Sequence, residues 1–266
     1  EEVNNRLDEM ALVGTLENLI GQYIELQTTY TYNNVSEMKE ATNLVEGSFA
    51  QTFGYHILND KGSARYKVRK IINTDVVDDI LIVSLHDETL IAELIIDDEM
   101  NVECFGAYGD NTHDDFNSIN KALHNCKKVN FSNIYKCNSL VKIDEIDNIS
   151  IYGKGSINST LPVIFEFNEC DNLNIKELKF TSTYDNNASE DVREATPDNN
   201  GYTTLSAIIR INECINPIVN NVEIIGGYTG LYATFSNIVK ITNSKIHGAR
   251  HICLCCSTSQ FMIENN

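Results

Sequence analysis

Apolar residues in the first 46 positions recur at helical spacing. The clearest series has the 3-4-3 intervals of the a and d positions of a heptad: Val13, Leu16, Ile20 and Tyr23. A weaker series follows: Val35, Met38, Thr42 and Val45. A narrow apolar stripe is typical of a coiled coil. We therefore expect a helical stalk over residues 1–46, with one amphipathic helix packed on its own domain as the alternative.

From Gly47 the period changes from helical spacing to short apolar runs broken by polar turns. This pattern predicts a small β-rich connector over residues 47–100. The next segment, 101–126, contains a helical pattern in which Phe116, Ile119 and Leu123 share one face, with Asp114 or Asp115 placed to cap its start.

The strongest pattern is a repeat within residues 127–266. Four segments alternate between apolar and polar positions: VIFEFNEC (163–170), AIIRINEC (207–214), LYATFSN (231–237) and ICLCCSTS (252–259). Alternation puts one set of side chains on a shared inner face: Val163, Phe165, Phe167, Ala207, Ile209, Ile211, Leu231, Ala233, Phe235, Ile252, Leu254 and Cys256. A second strand follows each segment, and its core positions fall at intervals of 44, 22 and 22: Ile175, Val219, Ile241 and Ile263. This period predicts a mainly β protein, a right-handed parallel β-helix.

Asparagines keep the same interval of 22 at Asn221, Asn243 and Asn265. We expect their side chains to bond to one another up the stack of coils. The doubled interval of 44 contains a polar stretch between Tyr184 and Thr204, which predicts a long loop inserted into one coil.

Charge narrows the classes of partner. The 20 basic and 38 acidic residues give a formal net charge of −18, which opposes binding to nucleic acid or to an anionic membrane surface. The chain shows neither an apolar run of membrane-spanning length nor a signal-peptide pattern. The six histidines fall at no ligand spacing and no CxxC occurs, so we expect neither metal nor cofactor.

The eight cysteines allow either a disulfide framework or buried free thiols. Cys170 and Cys214 occupy matching NEC triplets, and three more lie in the apolar strand CLCC. We favour free thiols in a protein made in a reducing host cytoplasm.

The segment that precedes the repeat resembles a known family. Phage tail spikes of the pectate-lyase-like superfamily carry a similar segment where their β-helix begins, and it is matched here by Phe105, Gly106, Ala107, Gly109, Asp110, Asp114 and Asp115. Asn111, His113 and Phe116 depart from the family pattern. In that family the segment caps the solenoid, so the resemblance implies a capping segment over 101–126 and a β-helix over 127–266 that is incomplete at its C-terminus.

Candidate chemistry comes from acids and aromatic rings. Enzymes that depolymerise glycans use two carboxyl groups a few ångströms apart. The alignment places four residues at one outward position of successive coils: Glu166, Arg210, Thr234 and Cys255. Glu166 and Arg210, an acid facing a base, are either catalytic residues or an ordinary surface ion pair. The polar stretch between Tyr184 and Thr204 contains three further catalytic candidates: Asp185, Glu190 and Asp191. The alternative is that these acids only form a solvated surface. Four tyrosines are candidates for stacking on sugar rings, or are ordinary surface residues: Tyr184, Tyr202, Tyr228 and Tyr232.

The resemblance implies a phage tail spike or preneck appendage, located in the virion, that recognises and degrades a host surface polysaccharide or teichoic acid. The chain would form a homotrimer, bind other tail or collar proteins through its N-terminal region, and bind the host glycan. We expect the active site of such a glycosidase, lyase or teichoic-acid hydrolase beyond residue 266. Two alternatives are a non-catalytic receptor-binding virion fibre and a secreted polysaccharide lyase.

Overall fold

A computed structural model describes residues 28–184, 206–250, 252–257 and 260–265, together with Val13, Thr15 and Leu16. The chain divides into two compact units, Glu1–Ile95 and Ile96–Asn266. Within the described ranges no helix is long and apolar enough to cross a membrane.

The first unit contains a five-stranded sheet in the order β1-β2-β3-β5-β4. Its strands are β1 (Thr29–Tyr32), β2 (Phe49–Thr52), β3 (Ala64–Lys70), β4 (Ile82–Ser84) and β5 (Leu90–Leu94). One face is apolar, and its centre holds the fully buried side chains of Tyr66, Val68 and Ala92. The predicted strands after Gly47 are therefore present.

The predicted helical stalk is wrong for residues 28–46. This stretch contains β1 and a single short helix, α1 (Val35–Lys39), whose first turn is closed by Asn34 accepting the N–H of Glu37 at 2.9 Å. The apolar spacing of Val35 and Met38 reflects one helical turn buried in this unit, and it does not continue beyond Lys39. Val13, Thr15 and Leu16 are helical. The other two residues of the first heptad series, Ile20 and Tyr23, lie outside the described part of the chain.

The second unit is a right-handed parallel β-helix built from three sheets. Sheet 1 contains β6 (Glu99–Asn101), β8 (Lys128–Asn130), β11 (Ser150–Tyr152), β14 (Asn174–Lys176), β17 (Ile218–Asn220), β20 (Val239–Thr242) and β23 (Phe261–Glu264). Sheet 2 contains β7 (Asp110–Asp114), β9 (Ile134–Lys136), β12 (Ser156–Ser159), β15 (Lys179–Ser182), β18 (Glu223–Gly226) and β21 (Lys245–His247). Sheet 3 contains β10 (Val141–Asp144), β13 (Phe165–Asn168), β16 (Ala207–Asn212), β19 (Thr229–Thr234) and β22 (Ile252–Ser257). Each coil passes from sheet 1 to sheet 2 to sheet 3.

The repeat predicted the strand register of sheet 1. Ile175 pairs with Val219, Val219 with Ile241 and Ile241 with Ile263, as the intervals of 44, 22 and 22 require. Ile175 and Val219 are fully buried, so stacking coils close an apolar interior.

The residues predicted for the inner face of sheet 3 are buried from Val163 to Ala233, but the predicted strand register is wrong for the third segment. Phe165 pairs with Ile209, but Ile209 pairs with Leu231, whereas the sequence alignment had matched Leu231 to Ala207. The third segment was therefore aligned two residues out of register. As a result Phe235, which we expected in the core, has a positive φ of 49° at a corner and is 54% exposed.

The predicted asparagine ladder is wrong in its position. Asn221, Asn243 and Asn265 share a left-handed backbone, with φ between 52° and 54°, and Asn243 bonds to Asn220 rather than to Asn221. Asparagine recurs there because it tolerates this conformation better than most residues. A side-chain ladder lies at the corner between sheets 3 and 1 instead, where Asn172 donates to Asn148 at 3.1 Å and Asn216 donates to Asn172 at 3.4 Å.

The predicted capping helix is α2 (Phe116–Asn125), preceded by a 3-10 turn, η1 (Val102–Phe105). Ile119 and Leu123 are fully buried. The side chain of Asp114 accepts the N–H of Phe116 at 3.2 Å, whereas Asp115 accepts the N–H groups of Tyr108 and Gly109. Burial raises the pKa of Asp115. Asp115 therefore occupies the N-cap position while its side chain holds the segment before β7, and the Asp114 side chain binds the first N–H of the helix.

All eight cysteines are free thiols, and five of them are buried. Cys170 and Cys214 occupy the same corner in adjacent coils, where the N–H of Cys170 points to the sulfur of Cys214 at 3.3 Å. The preference for unpaired core thiols is confirmed.

Candidate functional site

The outer face of sheet 3 presents two columns of polar side chains, because alternate residues of each strand point away from the core. The first column is Lys142, Glu166, Arg210, Tyr232 and Cys255. The second column begins with Asp144, Asn168, Asn212 and Thr234. The predicted register placed Thr234 beside Arg210; Tyr232 holds that position, because of the two-residue slip in the third segment.

Glu166 and Arg210 meet across adjacent coils, as predicted, but they are not a surface ion pair. The guanidinium donates to a carboxylate oxygen at 2.7 Å, and the side chains are only 13% and 8% exposed. A pair this poorly solvated is screened much less than an exposed one. It fixes the position of the charged groups on this face.

A second acid, Asp144, lies close to Glu166. The amide nitrogen of Asn168 donates to Asp144 at 2.6 Å and to Glu166 at 3.2 Å. Because one nitrogen makes both bonds, the two acceptor oxygens lie within about 6 Å of each other, near the spacing of paired carboxyl groups in glycosidases. Along the first column the register still pairs an acid with a base, and the second acid belongs to the neighbouring column. Asp144 was not identified as a candidate from the sequence because it lies in the second column, one coil earlier than Glu166.

Both carboxylates already have partners. Glu166 accepts from Arg210 and Asn168, and Asp144 contacts Lys142 at 3.2 Å as well as Asn168. Asn212 continues the column by donating to Asn168 at 2.8 Å, and its side-chain oxygen Oδ1 is buried without a hydrogen-bond partner among the residues that the structure describes.

Three of the four candidate tyrosines border this face. Tyr232 is half-buried in the first column. Tyr184 and Tyr228 follow β15 and β18 at equivalent positions, since Ser182 pairs with Gly226, and both are half-buried at the corner between sheets 2 and 3. The remaining candidates lie outside the described residues: Tyr202, Asp185, Glu190 and Asp191.

A cleft of about 820 Å³ runs over the outer face of sheet 2. A second depression of about 480 Å³ adjoins it and shares Lys154, Gly155 and Lys179. The lysines of this region were not identified from the sequence, although the repeat contains the signal: Lys179, Glu223 and Lys245 share one register at intervals of 44 and 22.

Asp110, which lines one end of the cleft, closes a turn with His113. Asp110 accepts the backbone N–H groups of Thr112 and His113, and the Nδ1 of His113 lies 2.8 Å from its carboxylate. These hydrogen bonds hold the pKa of Asp110 well below its usual range. In the part of the chain that the structure describes, no three His, Cys, Asp or Glu side chains are grouped as metal ligands.

Comparison with solved structures shows that the fold is shared with phage tailspikes. The tailspike protein gp49 of Acinetobacter baumannii bacteriophage Fri1, a capsular polysaccharide depolymerase, matches 86% of this chain and 50% of its own, with 10% identity and a TM-score of 0.58. Pantoea stewartii WceF, a glycan biofilm modifying enzyme with a tailspike-like parallel β-helix, matches 91% of this chain and 42% of its own, with 13% identity and a TM-score of 0.57. Tailspike protein 2 of the Escherichia coli O157:H7 bacteriophage CAB120 matches 87% of this chain and 36% of its own, with 12% identity and a TM-score of 0.50.

The chain thus spans half or less of the length of these proteins. No family model matches the sequence, and no curated protein matches it. The predicted tailspike-type parallel β-helix is therefore confirmed at the level of the fold.

Proposed function

We propose that this chain is part of a phage tailspike-type protein that binds a polysaccharide of the host surface along the outer face of sheet 3. The observation that carries the proposal is the column in which Tyr232 follows the Glu166–Arg210 pair, on a fold shared with glycan-acting tailspikes. An aromatic ring can pack against the apolar face of a sugar, and neighbouring charged and amide groups can bond to its hydroxyls. Tyr184 and Tyr228 extend this surface to the corner.

Binding can be tested with the 266-residue chain and a panel of bacterial surface polysaccharides. The key variant is Tyr232→Ala, and the matched control is Tyr152→Ala, which removes an outward tyrosine from sheet 1. We expect at least one polysaccharide to bind, with affinity reduced tenfold or more in Tyr232→Ala and unchanged in the control. Binding to none of the panel, or equal binding by Tyr232→Ala, would reject the proposal.

Cleavage of the bound polymer is a second candidate function, favoured by the proximity of Asp144 and Glu166. Hydrolysis requires one carboxyl group to donate a proton to the leaving oxygen. Since cations contact both groups here, we expect this face to bind rather than to cleave.

The proposal extends to assembly. Tailspike architecture favours a homotrimer attached to other virion proteins through the N-terminal unit, and Val13 and Leu16 are helical and more than half exposed, as seam residues of an isolated chain would be. Light scattering should then give about three times the 29.9 kDa of one chain. A mass of one chain at micromolar concentration would contradict the trimer.

A further inference from the structure

The cleft on sheet 2 is suited to a ligand rich in hydroxyl groups. Neutral amide and hydroxyl side chains make up half of its lining: Asn111, Ser132, Asn133, Ser156, Asn158 and Thr181. Its volume of about 820 Å³ lies within the usual range of ligand sites. The outer face of sheet 2 adjoins the corner that carries Tyr184 and Tyr228.

Lys154 is built into this cleft by the backbone. Lys154 lies at the corner between sheets 1 and 2, where three residues separate Tyr152 from Ser156. The paired positions of the next coil, Lys176 and Lys179, are separated by only two residues, so the corner that contains Lys154 has one extra residue. The corner lies so close to the preceding coil that a Cβ on Gly153 would be 2.1 Å from the oxygen of Phe131, and one on Gly155 would be 2.4 Å from that of Asn133. Gly153 also has a φ of +130°. Only glycine fits on either side of this lysine.

The charges leave Lys154 available. It is exposed, and no described residue forms an ion pair or hydrogen bond with its ammonium group. Glu223 is shared by Lys179 at 3.2 Å, Lys245 at 3.8 Å and the ring of His247 at 3.2 Å.

Two further acids line the two depressions. Asp110, at the far end of the cleft, is held by its own turn, and Glu177 is exposed in the smaller depression. The lining therefore holds as many lysines as carboxylates, in a chain of 20 basic and 38 acidic residues. It is far less acidic than the protein as a whole.

We propose that this cleft binds an acidic glycan, with one carboxylate or phosphate group of the glycan on Lys154 and Lys179 and its hydroxyl groups on the surrounding amides. The inference rests on the proposed function, because it names the chemical class of the same polysaccharide. A ligand with sparse charge fits best, since Asp110, Glu177 and the net charge of −18 oppose a dense polyanion.

Titration calorimetry with three probes tests the inference: hyaluronan oligosaccharide for carboxylate, sparsely phosphorylated dextran for phosphate and unmodified dextran as the neutral polymer. The variants are Lys154→Gln and Lys154→Gln/Lys179→Gln, and the control is Lys240→Gln, which removes one exposed lysine from the outer face of sheet 1. Lys154→Gln should fold normally because it breaks no hydrogen bond or ion pair to any residue that the structure describes.

We expect one of the two anionic probes to bind more tightly than dextran. The probe that binds shows whether the charged group of the ligand is a carboxylate or a phosphate. Lys154→Gln should weaken that binding at least fivefold, the double variant more, and Lys240→Gln not at all. No binding of either anionic probe, equal binding of dextran, or no loss in Lys154→Gln would overturn the inference. If host polysaccharide binding still depends on Tyr232 in that event, the proposed function stands and only the assignment of this cleft fails.

Discussion

Arg210 donates a hydrogen bond of 2.7 Å to Glu166 although the two residues are 44 positions apart in the chain. The solenoid brings them together because β13 and β16 are neighbours in sheet 3, where Glu166 and Arg210 are in register. The pair then orders the face on which we place the glycan.

The worth of this pair can be measured with a double-mutant cycle. Glu166→Gln and Arg210→Met should each lower the free energy of unfolding by about 1–3 kcal/mol, because each leaves a poorly solvated charged partner behind. The double variant should lose less than the sum. Lys179 and Glu223, which are 46% and 34% exposed, form the control pair, with a coupling of about 0.5 kcal/mol. Equal coupling for the two pairs, from urea unfolding, would show that burial does not strengthen Glu166–Arg210.

Thiol labelling should follow burial. At pH 8 iodoacetamide should modify the exposed Cys253 first and the buried thiols slowly, because the thiolate is the nucleophile and burial raises the pKa of Cys137 to about 12 and of Cys256 to about 11. In denaturant without reductant, mass spectrometry should find all eight cysteines labelled. The loss of two or more to disulfides would contradict the assignment of free thiols.

Incubation with a bound polysaccharide should release no reducing ends above background. The physical reason is that Asp144 and Glu166 both contact cations and both accept a hydrogen bond from Asn168, so their oxygens already have partners within the protein. Asp144→Asn serves as the control for any residual signal. Turnover that Asp144→Asn abolishes would instead assign catalysis to this face.

Much of the fold was predictable, because a period of 22 leaves few alternatives to stacked coils. The error at Phe235 has a physical reason. A shift of two residues preserves the alternation of inner and outer side chains, so hydrophobicity alone could not detect it. The matching corner of Cys214 and Ser236, and the left-handed positions of Glu213 and Phe235, fix the true register and are apparent only from the backbone.

The candidate sites were less predictable than the core. Asp144 and Glu166 approach each other through Asn168, a diagonal contact between two columns, and a search along one register misses such contacts. The prediction of a stalk failed over residues 28–46 for a different reason: Val35 and Met38 have helical spacing over one turn only, and tertiary packing decides the structure of so short a segment.

The central claim is that polysaccharide covers the outer face of sheet 3. Hydroxyl-radical footprinting reports the solvent access of individual tyrosine side chains, and the chain offers Tyr232 on this face and Tyr152 on sheet 1 for comparison. With a saturating polysaccharide from the binding panel, we predict that oxidation of Tyr232 falls at least threefold while that of Tyr152 is unchanged. Unchanged oxidation of Tyr232, or protection of Tyr152 instead, with the polysaccharide bound would contradict the account.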